Sequence, residues 1–144
     1  MELPSALSFE LVTPDRSIVH ESVDEVQIPG SQGYLGVLPG HTPLLTTLQV
    51  GELWFRRGAE RSFVSVAFGF AEILPDRVTV LAQIAERAEA IDVDRAEAAR
   101  RRARERLAAS TANVDFERAR VALLKSLVRL QVASQVRIRP PAGL

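Results

Sequence analysis

Arginine side chains are the strongest chemical signal in this sequence, and they concentrate in one run. The run comprises Arg100, Arg101, Arg102, Arg104 and Arg106. Guanidinium groups bind phosphates and carboxylates through paired hydrogen bonds, so the run could form a surface for phosphates or for an acidic partner segment. The simpler interpretation is a solvated helix face whose charges pair with Glu97 and Glu105. A nucleic-acid arm is disfavoured by the formal net charge of +0 and by the lack of aromatic residues near the run.

A second set of residues combines a carboxylate with guanidinium groups. Asp92 and Arg95 are three residues apart, a spacing that places them on one face of a helix. Arg102 follows two turns later on nearly the same face, and Arg118 and Arg129 would converge there if the two segments form a hairpin. Several guanidinium groups with a carboxylate suit a polyphosphate. From the residues alone, a helix cap with an interhelical ion pair is favoured about two to one, because capping Asp residues are common.

The sequence contains no pattern typical of a catalytic or metal site. It lacks a P-loop, a G-x-S-x-G elbow and an H-E-x-x-H helix. Its 2 histidines, His20 and His41, are far apart and have no second ligand at metal spacing, and Cys is 0. No apolar run approaches the roughly 18 residues of a membrane helix, and no secretory signal is present at the start. We expect a chain that transmits or regulates, with no catalytic residue, no metal and no required cofactor.

The elements that must position these residues fall into two parts of opposite charge. Residues 1–83 contain 5 Arg and 10 Asp or Glu, a formal charge of −5. Residues 84–144 contain 12 Arg, 1 Lys and 8 Asp or Glu, a formal charge of +5. The first part alternates apolar and polar residues between Gly and Pro turns, whereas the second is rich in Ala, Arg and Glu. We predict an α+β chain in two parts, an all-β sandwich over 1–84 followed by an α-helical hairpin over 85–144.

The hairpin is expected to have a weak internal interface. Asp92 is predicted to cap the first helix, with Ile91 packing on Ala96 as a hydrophobic staple. The apolar stripe of this helix is mostly Ala, so each contact buries little area and the hairpin could detach from its docking surface. The predicted stripes are Val93, Ala96, Ala99, Ala103 and Leu107 in the first helix, and Phe116, Ala119, Leu123, Leu127 and Leu130 in the second. The first helix is predicted to end at 110–113, and the ordered part of the chain is expected to end at 139–143.

In the first part, the composition of one short segment indicates an exposed turn between two strands. The residues from Gly33 to Leu45 predict a strand, a corner at Pro39-Gly40 and a second strand that begins near Leu44. His41 lies on the corner, and Tyr34 lies beside glycine, so both are expected to be exposed. Most other aromatic residues are expected in the core or between sheets, since burial is the usual fate of aromatic side chains: Phe9, Trp54, Phe55, Phe63, Phe68 and Phe70.

The same segment carries a resemblance to a known family. The pattern Gly33-x-x-Gly36-x-x-Pro39-Gly40-His41-x-Pro43-Leu44 resembles the fingerprint of the epsilon subunit of the rotary F-type ATP synthase. The agreement runs from about Leu7 to about Leu130. Further similar stretches are Thr13-Pro14-Asp15, Gly69-Phe70-x-Glu72, Val78-Thr79-Val80-Leu81-Ala82, Ala85-Glu86-Arg87-Ala88-Glu89-x-Ile91-Asp92 and Val114-Asp115-Phe116.

The resemblance implies a non-catalytic subunit of the central stalk, peripheral to the bacterial inner membrane on its cytoplasmic side. The sandwich would bind the gamma subunit and the ring of c subunits, and so couple proton-driven rotation to ATP synthesis. His41 matches the family position that faces gamma. Tyr34 matches the position that faces the loops of the ring, a position that is often acidic in the family.

The resemblance also implies a regulatory hairpin. When it extends along gamma, its basic face, here with Arg100, Arg101 and Arg104, would meet an acidic segment of a beta subunit and block hydrolysis. Some members bind regulatory ATP through an I/L-D-x-x-R-A motif, present as Ile91-Asp92-x-x-Arg95-Ala96. Residues matching nucleotide contacts by position are Glu86, Arg102, Arg118 and Arg129. Lys125 replaces an Arg of the strongest binders and loses a bidentate fork, so weak ATP binding is expected.

Two other classes of function are compatible with the residues. A stand-alone adaptor would use the sandwich and hairpin to bind a partner, but it would not copurify with an ATPase. A nucleic-acid-binding protein would use the basic hairpin, and its binding would be salt-dependent and lost when 100–102 are replaced.

Overall fold

The computed structural model describes residues 2–109 and 113–138. The chain divides into two compact units, Met1–Arg87 and Ala88–Leu144. The division expected at residues 84 and 85 falls inside the last strand, which continues to Arg87. The strands are β1 (Leu7–Val12), β2 (Ser17–Val23), β3 (Glu25–Gly30), β4 (Gly33–Val37), β5 (Leu44–Arg57), β6 (Glu60–Leu74) and β7 (Arg77–Arg87), followed by a short 3-10 helix (Ala88–Ala90), α1 (Val93–Ala109) and α2 (Asn113–Ile138).

The strands of the first unit form one seven-stranded sheet in the order β2-β1-β7-β6-β5-β3-β4. β1 pairs in parallel with β7, and the other neighbouring strands pair antiparallel. Alternation sets the buried face, because successive side chains of a strand point to opposite sides. In β1, for example, Leu7, Phe9 and Leu11 are fully buried while Ser8 is exposed.

The sheet folds over on itself, so that strands far apart in the strand order contribute to one core. Phe9 of β1 and Phe55 of β5 stand three places apart in that order, yet their ring centroids are 5.2 Å apart. Arg57 of β5 also reaches β2, where its Nε donates a hydrogen bond to the Ser22 carbonyl oxygen at 3.1 Å. Its Nη2 lies 3.3 Å from Oε1 of Glu21. The predicted sandwich followed by a two-helix hairpin is therefore confirmed.

β5 and β6 run for 14 and 15 residues. Gly51 and Gly69 lie inside them, although glycine between alternating segments is typical of a turn that ends a short strand. Gly69 continues the ladder between Leu48 and Ala82. Its φ is 122° and that of Phe68 is 61°, so the strand bends at this point without ending. A glycine in a strand signals either a turn or a bend, and the local sequence does not separate the two.

This bend also decides which aromatic residues are buried. Phe9 and Phe55 lie in the core, as predicted. Phe70 is 54% exposed, so its predicted place in the core is wrong. After the bend, Ala71 and Ile73 take the inward positions and Phe70 points outward. Trp54 is half-buried, and the guanidinium carbon of Arg61 lies 4.2 Å from its ring centroid.

In the second unit, the buried residues of both helices are small or β-branched. They are Ala96 and Ala103 of α1, and Ala119, Ser126, Val128, Val132 and Ala133 of α2. Ser126 satisfies its hydroxyl by donating to the Leu123 carbonyl oxygen at 2.8 Å. Of the predicted stop at 110–113, only Asn113 is described, and it begins α2. The predicted end of order at 139–143 lies outside the described residues.

The predicted apolar stripe of α2 is therefore partly wrong. Phe116 and Leu127 are exposed, whereas Ala119 on the predicted stripe is buried. α2 carries apolar residues on more than one face, and a stripe of period 3.6 can be drawn through several of them. Only the packing partner selects the stripe that is buried.

Replacing Gly69 is expected to destabilise the first unit strongly. A Cβ at Gly69 would overlap the Leu81 carbonyl oxygen and lie 2.9 Å from the Ala82 Cα, at a φ that disfavours side chains. We expect Gly69→Ala to lower the free energy of unfolding by about 2–4 kcal/mol. Urea denaturation measures this, with Gly36→Ala as the matched control, because a Cβ at Gly36 meets nothing within 4 Å. Equal midpoints for the two variants would contradict the account of the bend.

Candidate functional site

Tyr34 is held in an exposed position by the β3–β4 hairpin. It pairs with Pro29 of β3, and its phenolic oxygen accepts a long hydrogen bond of 3.4 Å from the Glu52 backbone N–H of β5. The ring is 53% exposed, as predicted. Gly51 is required beneath it, since a Cβ there would lie 2.6 Å from the Pro29 Cβ and 2.9 Å from the Tyr34 Oη. The phenolic end of the ring therefore lies against β5, while about half of the side chain remains open to solvent.

His41 lies on the corner between β4 and β5 and is half-exposed. Its Nδ1 lies 2.6 Å from the Thr42 carbonyl oxygen. A carbonyl oxygen only accepts, so this nitrogen carries the proton and donates it. The Gly40 N–H donates to the Pro75 carbonyl oxygen at 2.7 Å, which ties the corner to the turn between β6 and β7. The backbone thus fixes the orientation of the imidazole.

An apolar surface that the sequence did not predict lies on the outward face of β1, β7 and β6. Val12, Leu81 and Phe70 form a row across these strands, because Val12 pairs with Leu81 and Leu81 with Phe70. Leu81 is 51% exposed and Phe70 is 54% exposed. We call these three residues the outer patch. They line a shallow groove of about 300 Å³ that also includes Thr13, Pro14, Gly69, Ala82 and Gln83.

Contiguous exposed apolar surface of this kind marks protein docking sites. A signal for the outer patch was available in β7, where Val78 and Val80 point inward while Leu81 and Ile84 point outward. A strand that is apolar on both faces predicts contacts on both faces.

The basic run of α1 divides into one paired arginine and four exposed ones. Arg100 is half-buried, and its Nη2 lies 2.6 Å from Oε2 of Glu97. The other side chains are exposed and, within the part of the chain that the structure describes, make neither an ion pair nor a side-chain hydrogen bond: Arg101, Arg102, Arg104 and Arg106. The expected pairing with Glu97 is therefore found for Arg100. The exposure of the other four is compatible both with a solvated helix face and with a surface for an acidic partner.

The residues expected to bind a nucleotide are spread along the hairpin. Asp92 and Arg95 lie at the start of α1, and Arg102 lies about 10 Å further along the helix. Arg118 of α2 shares a groove of about 390 Å³ with Arg106 and Asp115, near the other end of α1. Sequence reasoning did not assign these last two residues to the set.

The remaining members of that set have different surroundings. Arg129 is about 16 Å along α2 from Arg118 and is half-buried. Ile91 and Ala96 are buried, whereas Arg95 and Arg118 are exposed. Glu86 lies on β7, in the first unit, and is half-buried. The set therefore does not converge on one point of the hairpin.

Asp92 caps α1, as predicted. Its Oδ1 accepts a hydrogen bond of 3.1 Å from the Arg95 backbone N–H, and its carbonyl oxygen accepts one of 3.0 Å from the Ala96 N–H. This satisfies donors that an uncapped helix would leave to water.

Across residues 2–109 and 113–138, no three His, Asp or Glu side chains are grouped closely enough to hold a metal ion. Neither described helix combines the length and the apolar composition that a membrane crossing needs.

The chain matches family models over both of its units. Residues 6–88 match the model for "ATP synthase, Delta/Epsilon chain, beta-sandwich domain". Residues 86–134 match that for "ATP synthase, Delta/Epsilon chain, long alpha-helix domain". The chain therefore belongs to the delta/epsilon family of ATP synthase subunits.

Within that family, its similar relatives are named epsilon chains. It is 47% identical over 129 residues to the ATP synthase epsilon chain of Syntrophobacter fumaroxidans, covering 90% of this chain and 96% of the relative. It is 45% identical over 133 residues to that of Solibacter usitatus, covering 92% and 99%. A chain in the Euglena gracilis mitochondrial ATP synthase has the same fold, with a TM-score of 0.80 at 22% identity, covering 96% of this chain and 85% of that one.

Removal of the Asp92 cap is expected to loosen the first turn of α1. Asp92→Ala should cost about 1 kcal/mol and speed hydrogen exchange at the Arg95 and Ala96 amides about fivefold, whereas Asp92→Asn keeps an acceptor and most of the protection. Amide exchange followed by NMR measures both variants. Glu89→Ala, an exposed acidic residue outside α1, is the control. Equal exchange in Asp92→Ala and the parent chain would contradict the capping role.

Proposed function

We propose that this chain acts as the epsilon subunit in the central stalk of a bacterial F-type ATP synthase. It couples proton-driven rotation to ATP synthesis and performs no catalysis itself. The observation that carries this proposal is the family match over both units, 6–88 and 86–134, with relatives named epsilon chains aligned over nearly their whole length. The chain would be peripheral to the inner membrane on its cytoplasmic side, reach it only through the complex, and bind no nucleic acid.

The sandwich would bind gamma and the ring of c subunits through different surfaces. For gamma, support comes from the corner that orients His41 and from the outer patch, since exposed apolar rows favour protein contacts. For the ring, support comes from Tyr34, which is exposed yet anchored on β5. An anchored side chain loses little conformational freedom on binding, so it contributes more of its contact energy to affinity.

The hairpin would act as a brake on ATP hydrolysis. Arg101, Arg102 and Arg104 are exposed on α1 and have no acidic partner among the described residues. An acidic segment of a beta subunit would supply that partner, and several such pairs together would resist rotation in the hydrolysis direction. The charge of +5 over residues 84–144 favours this approach over long range.

Regulatory ATP would bind at the end of the hairpin where α1 begins. The Arg95 guanidinium is exposed there, and Arg102 lies about 10 Å along the same helix, so both could contact one polyphosphate chain. Antiparallel helices would bring Arg129 to the same end, whereas Arg118 lies beside Arg106 at the other end. We therefore retain Asp92, Arg95, Arg102 and Arg129 as the central contacts and assign Arg118 a lesser one.

Truncation of the hairpin is expected to release hydrolysis. The catalytic head assembled with gamma should hydrolyse ATP faster with a chain ending at Ala88 than with the full chain. A full chain with Gln at 101, 102 and 104 should give an intermediate rate, because it keeps the helix but loses the charges. Arg77→Gln, an exposed arginine on β7, is the charge control. Equal rates for the full and short chains would contradict the brake.

Loss of the motif at the start of α1 is expected to weaken ATP binding. The double variant Asp92→Ala, Arg95→Ala should raise the Kd for ATP at least about tenfold, because charge-assisted hydrogen bonds are lost. Arg118→Ala should change it less than about threefold, consistent with the position of Arg118 in the other groove. Isothermal titration calorimetry of the full chain measures all three proteins. An unchanged affinity in the double variant would count against the site.

A further inference from the structure

A groove at the joined end of the hairpin, where α1 finishes and α2 begins, takes no part in the contacts proposed with gamma, the ring or a beta subunit. Its volume is about 390 Å³, and it is lined by Arg106 and Ala109 of α1 and by Asp115, Arg118 and Ala119 of α2. Ala119 is buried and the other four residues are exposed. Each helix therefore contributes one arginine to a cleft whose other lining residues have short side chains.

Arg106 has no anionic partner within the part of the chain that the structure describes. The residues at helical spacing from it in α1 are Arg102, Ala103 and Ala109, none of which carries a negative charge. Arg102 repels it instead, since like charges four residues apart on a helix are destabilising. An anion that pairs with Arg106 must therefore come from outside α1.

Arg118 is also without an ion pair among the described residues, although a carboxylate lies three residues before it. Glu117 and Arg120 have the same spacing and do pair, with Nη2 of Arg120 lying 3.1 Å from Oε2 of Glu117. Asp115 makes no such contact with Arg118 or with Arg106. It lies in the first turn of α2, where a carboxylate offsets the positive end of the helix dipole. Two guanidinium groups thus line one groove without an ion pair to neutralise them.

The electrostatics of the hairpin favour an anion in this groove. Residues 84–144 carry a formal charge of +5, and like charges on two packed helices oppose their contact. Guanidinium groups hold phosphate oxygens through paired, charge-assisted hydrogen bonds, so one phosphate group can accept from Arg106 on one side and from Arg118 on the other. The volume of the groove lies within the range of about 300–1,000 Å³ that is usual for small-molecule sites.

We propose that Arg106 and Arg118 bind a phosphate group between α1 and α2, and that this group holds the joined end of the hairpin together. The site is separate from the nucleotide contacts at the start of α1. Arg95 lies about 16 Å along α1 from Arg106, and Arg129 lies about 16 Å along α2 from Arg118. Free phosphate and the phosphates of a nucleotide share the chemistry that this site recognises. Binding needs no other subunit, so it does not depend on the proposed function.

Phosphate titrated into the full chain at constant ionic strength, with chloride as the balancing anion, tests the site. The NMR shift of the Ala119 amide should saturate with a Kd of about 1–10 mM, as expected for two charge-assisted contacts that compete with water. Arg106→Gln and Arg118→Gln should each raise that Kd at least about fivefold. Arg120→Gln removes the same charge from α2 outside the groove and should change the Kd less than about twofold.

Hydrogen exchange tests whether the bound group joins the two helices. A ligand that binds only the closed hairpin lowers the population of the open form by the factor 1 + [ligand]/Kd. At ten times the Kd, exchange of the Ala109 and Ala119 amides should therefore slow about tenfold, whereas exchange of the Leu11 amide in the sandwich should not change. Binding that leaves the exchange of both helical amides unchanged would overturn the joining role.

ATP titrated into the double variant Asp92→Ala, Arg95→Ala identifies the source of the phosphate group. This variant lacks the nucleotide contacts proposed at the start of α1. Saturation of the Ala119 shift by ATP at lower concentration than by phosphate would assign the groove to a nucleotide, and the reverse order would assign it to free phosphate. A shift that never saturates, or that Arg120→Gln weakens as much as Arg118→Gln does, would overturn the site while leaving the proposed function intact.

Discussion

The contact between Phe9 and Phe55 is the constraint on which the positions of the candidate surfaces depend. The two ring centroids are 5.2 Å apart, and this contact joins distant strands of a seven-stranded sheet over one core. Once alternate residues are committed to that core, their neighbours must point outward. Phe70 and Leu81 are exposed for this reason, and Tyr34 is exposed because β4 is the last strand of the sheet. Any partner surface on this unit is therefore fixed by how the core is filled.

The sequence was sufficient for the architecture because the relevant signals are local. Alternating apolar residues and Gly or Pro turns indicate strands, the change in composition indicates that a helical part follows, and Asp92 has the chemistry of a cap. The composition changes before β7 ends at Arg87, so it does not locate the boundary itself. These features need no knowledge of distant contacts. The fingerprint from Gly33 to Leu44 then pointed to the family that the comparisons establish.

Other features were not predictable because a distant partner decides them. Gly69 bends a strand instead of ending it, since β5 and β7 pair on both sides of it. That bend places Phe70 outside the core. In α2, Phe116 and Ala119 both fit a helical stripe, and only packing selects Ala119 for burial. The residues expected to bind a nucleotide are spread out because α1 and α2 are long helices. Spacing in the sequence does not tell how far apart two residues on different helices lie.

The two units differ in the chemistry they offer to partners. The first has no Asp, Glu, Lys or Arg between Glu25 and Glu52, whereas the second exposes five arginines on α1. Salt weakens contacts between exposed charges much more than it weakens apolar and main-chain contacts. In the proposed function, the sandwich would therefore stay attached to the rotor while the hairpin engages and releases an acidic surface. Permanent coupling would then belong to the first unit and regulation to the second.

The most direct test of the central claim is ATP synthesis driven by a proton gradient in vesicles that contain the synthase depleted of its epsilon subunit. Addition of the full chain should restore the rate of ATP synthesis and reduce proton leak. A rate and a leak that do not change on addition of the chain, under conditions where the relatives' epsilon chains restore both, would contradict a role in coupling.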